Sequence, residues 1–223
     1  MKSFRLFAFS ALILPIAAFA QEPAKPAAPP APAASAEAAA KREAAQANRC
    51  ILLVNAAELP AAEMEAIRAF AEQDLRVKVK AVEQAVAWSA MPEKLPGLLS
   101  DNVRLVVALG KGPADARIVT APDNGWAMVN VTPLLALSKV REHMLKQQAM
   151  RGIGYALGVA VCLDRYCCMR TSQALPDLQD AGENFCPITR RDYENLTIQH
   201  GLRLAMPANM KMRKAKPAAP PAK

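Results

Sequence analysis

Arg151-Gly-Ile-Gly-Tyr-Ala-Leu-Gly-Val-Ala-Val161, followed without a break by Cys162-Leu-Asp-Arg-Tyr-Cys167-Cys168-Met169, is the stretch on which the fold turns. A long helix starting near Leu134 is expected to run into it, and Gly152, Gly154 and Gly158 leave little bulk along its second half. Tyr155 could ligate a metal or donate a proton, but Arg151 one turn before it and Val161 six residues after it offer no further ligand. Tyr155 is therefore expected to be buried with its hydroxyl hydrogen-bonded. No C-x-x-C redox motif is present, although the vicinal pair Cys167-Cys168 is unusual and has redox potential of its own. Five cysteines cannot all pair within one chain.

Upstream, Lys2 and Arg5 precede an apolar run from Leu6 to Phe19, and Ala18-Phe-Ala20 closes it. That is the pattern of a signal peptide, residues 1–20, with an A-x-A cleavage site. The run is shorter than the ~20 residues that span a bilayer and it contains Pro15, so a retained transmembrane helix is not expected. Residues 21–48 are almost wholly Ala, Pro, Glu, Lys and Gln, a composition that makes a disordered spacer with at most a frayed helix over 36–47. Residues 207–223 repeat it as a basic Pro/Ala-rich tail, leaving 49–206 as one domain.

The formal net charge is +8. Lys211, Arg213, Lys214, Lys216 and Lys223 place much of it in the tail, Lys2 and Arg5 lie in the leader, and the domain is nearly neutral. The tail suits anionic envelope polymers or lipid head groups through non-specific attraction. Nothing in the domain points to specific nucleic-acid binding. The expected location is the periplasm or the extracellular space. In such an oxidising compartment, disulfides are favoured over bound metal for the cysteines.

Within the domain, Cys50-Ile-Leu-Leu-Val-Asn55 and Val103-Arg-Leu-Val-Val-Ala-Leu109 are continuous apolar runs suited to strands buried on both faces of a parallel sheet. Pro60 to Gln73 has helical spacing in Met64, Ile67 and Phe70, with Pro60 at the first turn. Arg76 to Val82 alternates charged and apolar residues as a half-exposed strand near an edge does, and its lysines discourage edge pairing. Arg117 to Ala121 and Trp126 to Val131 form a hairpin across Pro122-Asp-Asn-Gly125. The loop Gly110-Lys-Gly-Pro113 follows a strand but lacks the P-loop pattern. These elements predict an α/β fold, a single domain with a mixed β-sheet packed by helices.

Residues 151–186 resemble the zinc-binding segment of the metzincin zinc proteases, and of archaemetzincins in particular. Metzincins carry H-E-x-x-H-x-x-G-x-x-H, in which three imidazoles hold one zinc and the glutamate is the general base. Here the ligand positions are Arg151, Tyr155 and Val161, the base position is Gly152, and the glycine stands as Gly158. In archaemetzincins a cysteine follows the third histidine, a second comes five residues later, then a methionine, and later F-C-x-x-C. This chain has Cys162, Cys167, Met169 and Phe185-Cys186, with Thr189 at the fourth cysteine position.

The resemblance implies a metzincin-like domain whose former zinc helix is followed by a cysteine-rich loop. It implies no catalytic residues and no catalytic cofactor. In that family the cysteines hold a second, structural zinc, so the resemblance implies a cluster of Cys162, Cys167, Cys168 and Cys186 with Cys162 and Cys186 brought together; export then favours disulfides over that zinc. Cys50, Cys167 and Cys168 are left open, and Met169 is expected in the core. No replacement site is legible: Glu142-His143 has the wrong order, Gln147 stands at its second ligand position, and His143 and His200 are isolated. No G-x-S-x-G accompanies Ser138 or Ser172 for a serine triad.

The expected function is that of an exported, catalytically inactive archaemetzincin-like protein, a pseudo-metalloprotease. It would bind a peptide or envelope component in a cleft kept open by its glycines. The alternatives are a thiol-dependent redox protein using Cys167 and Cys168, a structural envelope module and, last, an active zinc metallopeptidase.

Overall fold

The computed structural model describes residues 41, 44–46, 48–114, 117–171 and 175–203. The expected signal peptide, most of the spacer, Ser172 and the basic tail lie outside the described residues.

Five strands form one mixed sheet: β1 (Cys50–Asn55), β2 (Lys78–Glu83), β3 (Val103–Gly110), β4 (Ile118–Ala121) and β5 (Trp126–Asn130). Their order is β2-β1-β3-β5-β4, with β4 antiparallel to β5 and every other pairing parallel. The helices are α1 (Ala61–Leu75), α2 (Met91–Lys94), α3 (Thr132–Leu135), α4 (Arg141–Leu157), α5 (Leu175–Gln179) and α6 (Pro187–Gln199). None of the described helices is long and apolar enough to cross a membrane.

The continuous apolar runs make physical sense once both faces of the sheet are followed. Successive strand residues point to opposite sides. On one side, Ile51, Leu53, Leu105, Val107, Leu109, Ala127 and Val129 pack with Met64 and Ile67 of α1 and Met150 and Ile153 of α4. On the other, Leu52, Val54, Val106, Ala108, Trp126 and Met128 meet Met91 and Leu95. This second layer is built from short α and 3-10 turns between Trp88 and Leu98, with Pro92 and Pro96 in their first turns. It has no periodic signature in the sequence. β2 lies at an edge as expected: Val79 is buried while Lys78 and Lys80 stay exposed.

Two expectations about the central helix are corrected. The continuous helix from Leu134 is instead two pieces, α3 and α4, separated at Ala136–Val140. The short α3 only turns the chain from the end of β5 onto the helical face of the sheet. The glycines of α4, in turn, do not keep a cleft open. A Cβ on Gly152 would lie 2.6 Å from Val129 Cγ2 and 2.8 Å from Val107 Cγ1, and one on Gly154 would lie 2.5 Å from Met169 Sδ. The space that side chains would need is filled by the sheet and by the loop after the helix.

Gly158 has a different role. It caps α4 in the left-handed conformation, φ 84°, and its N–H and that of Val159 turn back onto the carbonyls of the last turn.

Gly152→Ala is expected to cost about 1–3 kcal/mol through overpacking, offset only in part by the ~1 kcal/mol that alanine gains as helix propensity. Gly97→Ala, where a Cβ would meet nothing within 4 Å, is expected to leave stability unchanged or slightly raised. Urea melts of the two variants check the contrast, and equal midpoints would contradict it.

Candidate functional site

The helix α4, which the resemblance aligns with a zinc helix, carries no metal-ligand set at Arg151, Tyr155 and Val161. Arg151 is buried, and its Nη2 lies 3.4 Å from the hydroxyl of Tyr155, to which it donates. Its guanidinium carbon is also 5.6 Å from the centre of the Tyr155 ring. Both contacts follow from the helix, which stacks residues i and i+4. Tyr155 is half-buried rather than fully buried, and its backbone carbonyl accepts from the Thr120 hydroxyl of β4 at 3.1 Å. Val161 has left the helix and is exposed. A guanidinium, a phenol and an isopropyl group thus stand at the three positions where the resemblance would place metal ligands. A glutamate at 152 would collide with Val107 and Val129. The residues do not fit a catalytic zinc.

The two histidines do not rebuild one. His143 pairs with Glu183 Oε1 at 2.8 Å. His200 ends α6 beside Leu157, at the other end of α4, and burial is the main cause that pushes its imidazole pKa down.

The cysteines behave differently. After Gly158 turns the chain, Cys162 N–H donates to the Met169 carbonyl, and Cys167 and Arg170 N–H close the loop from within. Met169 is wholly buried under α4, as expected of a core residue. Cys168 N–H donates to the Asn184 carbonyl, which docks the loop against the start of α6. The result places the Sγ atoms of Cys162, Cys167 and Cys186 within 4.8 Å of one another. Among the described residues this is the one group of His, Cys, Asp or Glu side chains arranged to hold a metal ion.

Thr189 completes the cluster. Its hydroxyl is 3.3 Å from Cys167 Sγ and 3.3 Å from Cys186 Sγ. Backbone N–H groups of Asp164 and Cys186 reach Cys162 Sγ and Cys167 Sγ, each at 3.4 Å.

Cys168 lies outside the triad. Its thiol donates to Cys167, which is the largest cause lowering the Cys167 pKa, while burial pushes Cys168 itself well up. Cys50 opens β1, and burial raises its pKa too. Neither supplies the fourth ligand that Thr189 lacks. All five cysteines are free thiols in this structure, and Cys162 Sγ and Cys186 Sγ are 3.6 Å apart. The proximity read for this pair holds, but no bond joins it. Cys167 and Cys168 are wholly buried, which counts against an exposed redox dyad. The donor set of the triad does fit a thiophilic ion.

Compared by sequence, the chain matches no family model and no curated protein. Compared by structure, it is similar to three solved proteins. Archaemetzincin from Methanopyrus kandleri shares 18% identity over 67% of this chain and 96% of its own, with a TM-score of 0.55. Archaemetzincin from Archaeoglobus fulgidus, solved with malonate, shares 16% over 64% of this chain and 98% of its own, with a TM-score of 0.51. A zinc-dependent peptidase from Methanocorpusculum labreanum shares 14% over 64% of this chain and 99% of its own, with a TM-score of 0.52. The chain therefore has an archaemetzincin-like α/β fold. At these identities the likeness carries the fold and not the chemistry.

Sequence reasoning found the cysteine positions and missed how the helix glycines are used. It also missed Thr189 as a contact shared by two sulfurs.

In reduced, folded protein, alkylation is expected to reach Cys162 first and to leave Cys50, Cys167 and Cys168 unmodified until denaturant is added. Mass mapping of the labelled peptides checks this, and rapid labelling of Cys168 would contradict it. The lowered His200 pKa also has a consequence for stability. The unfolded chain takes up a proton below about pH 6.5 while the folded chain resists it. Stability is thus present above that pH and is lost as the pH falls towards the folded pKa. The melting temperature is expected to fall more steeply between pH 6.5 and 5 in the wild type than in His200→Gln.

Proposed function

We propose that this chain is an exported, proteolytically inactive archaemetzincin-like protein with a binding role in the cell envelope. The observation that carries the reading is the side-chain set on the former zinc helix: Arg151 and Tyr155 engage each other, and Val161 has no donor. Zinc proteolysis needs at least three ligands and an open position on the metal. The packing of Gly152 against Val107 and Val129 also leaves no room for a restored general base.

The edge of the sheet supports the binding reading. Among the described residues β4 pairs with β5 on one side only, and its sequence Ile-Val-Thr-Ala carries no charge to discourage a further strand. The opposite edge, β2, is guarded by Lys78 and Lys80. An extended peptide added to β4 would hydrogen-bond through its main chain, with Val119 exposed for side-chain contact. The basic tail, acting as a second attachment point, would hold the domain near anionic polymers.

One observation favours a second reading for the cysteines. The 3.6 Å separation of Cys162 and Cys186 is short enough for oxidation to join them by a small movement, as a disulfide staple in an oxidising compartment.

The test uses the mature protein and a mixed library of fluorogenic peptides, with and without added zinc. No hydrolysis sensitive to a chelator is expected. Immobilised extended peptides are expected to be retained by the wild type and at least several-fold less by Val119→Lys, which places a charge on the edge. Chelator-sensitive turnover would overturn the reading, and binding that Val119→Lys leaves unchanged would remove β4 as the surface. Deleting residues 207–223 is expected to reduce co-sedimentation with anionic envelope polymers while leaving peptide retention intact.

A further inference from the structure

The cysteine triad departs from a closed zinc site in a way that discriminates between metals. A structural zinc takes four ligands drawn from thiolates, imidazoles and carboxylates. Here three sulfurs converge, and the fourth corner is taken by the buried hydroxyl of Thr189, in contact with two of them. An aliphatic hydroxyl is neutral, hard and does not lose its proton near neutrality, so it is a poor substitute for a thiolate. Cys168, the nearest other sulfur in sequence, is turned to Cys167 as a hydrogen-bond donor and not to the centre of the triad.

Three thiolates without a fourth strong donor suit a soft monovalent ion. Thiolates favour both Cu(I) and zinc among the first-row ions, but structural zinc takes four ligands, whereas monovalent Cu(I) is stable in a planar three-sulfur set. Such a site carries excess negative charge, which needs donors aimed at the sulfurs. The N–H groups of Asp164 and Cys186 already point at two of them, the kind of outer-shell support that orients metal ligands. Cys162 is only half-buried, on a loop whose neighbours Val161 and Leu163 are exposed, so an ion has a way in from solvent.

We propose that Cys162, Cys167 and Cys186 bind one Cu(I) ion through three thiolates, in preference to zinc. Binding displaces the protons of those thiols that are protonated and moves no electron. The proposal concerns the cysteine triad in its reduced state, is exclusive of a Cys162–Cys186 disulfide, and does not depend on whether the domain binds peptides.

The experiment titrates the reduced full chain under nitrogen with Cu(I) against the chromophoric chelator bathocuproine disulfonate, and separately with zinc against a chromophoric zinc chelator. One Cu(I) per chain is expected to be retained, and zinc is expected to be lost to its chelator. Thr189→Cys, which supplies a fourth thiolate, is expected to raise zinc affinity at least tenfold. The double variant Cys162→Ser, Cys186→Ser is expected to lose the copper. X-ray absorption at the copper edge of the wild type should show three sulfur neighbours and no oxygen or nitrogen shell. Zinc held as tightly by the wild type as by Thr189→Cys would overturn the proposal. So would copper retained by the folded double-serine variant, which would place the ion on other sulfurs such as Met206, Met210 and Met212. If the double variant does not fold, as judged by circular dichroism, the X-ray neighbour count decides alone.

Discussion

The closeness of α4 to the sheet is the constraint on which the rest of this fold depends. Gly152 lets the helix backbone approach Val107 of β3 and Val129 of β5, and Gly154 lets Met169 pack against its other flank. The helix is consequently buried on nearly every side over its second half. A helix so enclosed must be apolar or small almost all round. The polar residues it does bury, among them Gln147, Gln148 and Arg151, have to find partners within the fold. Arg151 and Tyr155 find part of theirs in each other.

That constraint bears differently on the helix and on the cysteine loop. Ligands on a catalytic helix serve a reaction, and the fold tolerates other side chains there as long as they pack. The cysteine loop serves the core. It carries Met169 under α4, its Cys168 N–H is bound to Asn184, and it leads to Phe185 and Cys186 at the start of α6. Phe185 stacks on Tyr193, whose hydroxyl donates to the Leu75 carbonyl at the end of α1. Loosening the loop would disturb contacts that reach across to α1. The cluster therefore keeps its geometry while the helix beside it presents no metal ligands.

The sequence made much of the architecture legible because strands and helices impose short periods on it. Cys50–Asn55 and Val103–Gly110 are apolar without a break because each is covered on both faces, and Lys78 and Lys80 mark an edge because only an edge leaves them in water. The cover between Trp88 and Leu98 was not legible, since single turns with prolines at their starts bury Met91 and Leu95 without any repeat. The interruption before Arg141 was not legible either. In the site, cysteine spacing could be read directly, but the use of the glycines could not. A glycine that opens a cleft and a glycine that admits a neighbouring side chain look the same in sequence, and only the positions of Val107, Val129 and Met169 distinguish them. Thr189 could be named as a missing cysteine, but its contact with two sulfurs arises from the first turn of α6 folding back over the loop.

The central claim is our proposal that the cysteine loop, and not the helix carrying Arg151 and Tyr155, is the metal site of this chain. Anomalous diffraction from crystals grown with zinc and with Cu(I), recorded at each absorption edge, tests it most directly. The account predicts a peak among Cys162, Cys167 and Cys186, stronger with copper than with zinc, and none beside Arg151 and Tyr155. A metal peak within ligand distance of Tyr155 would contradict it.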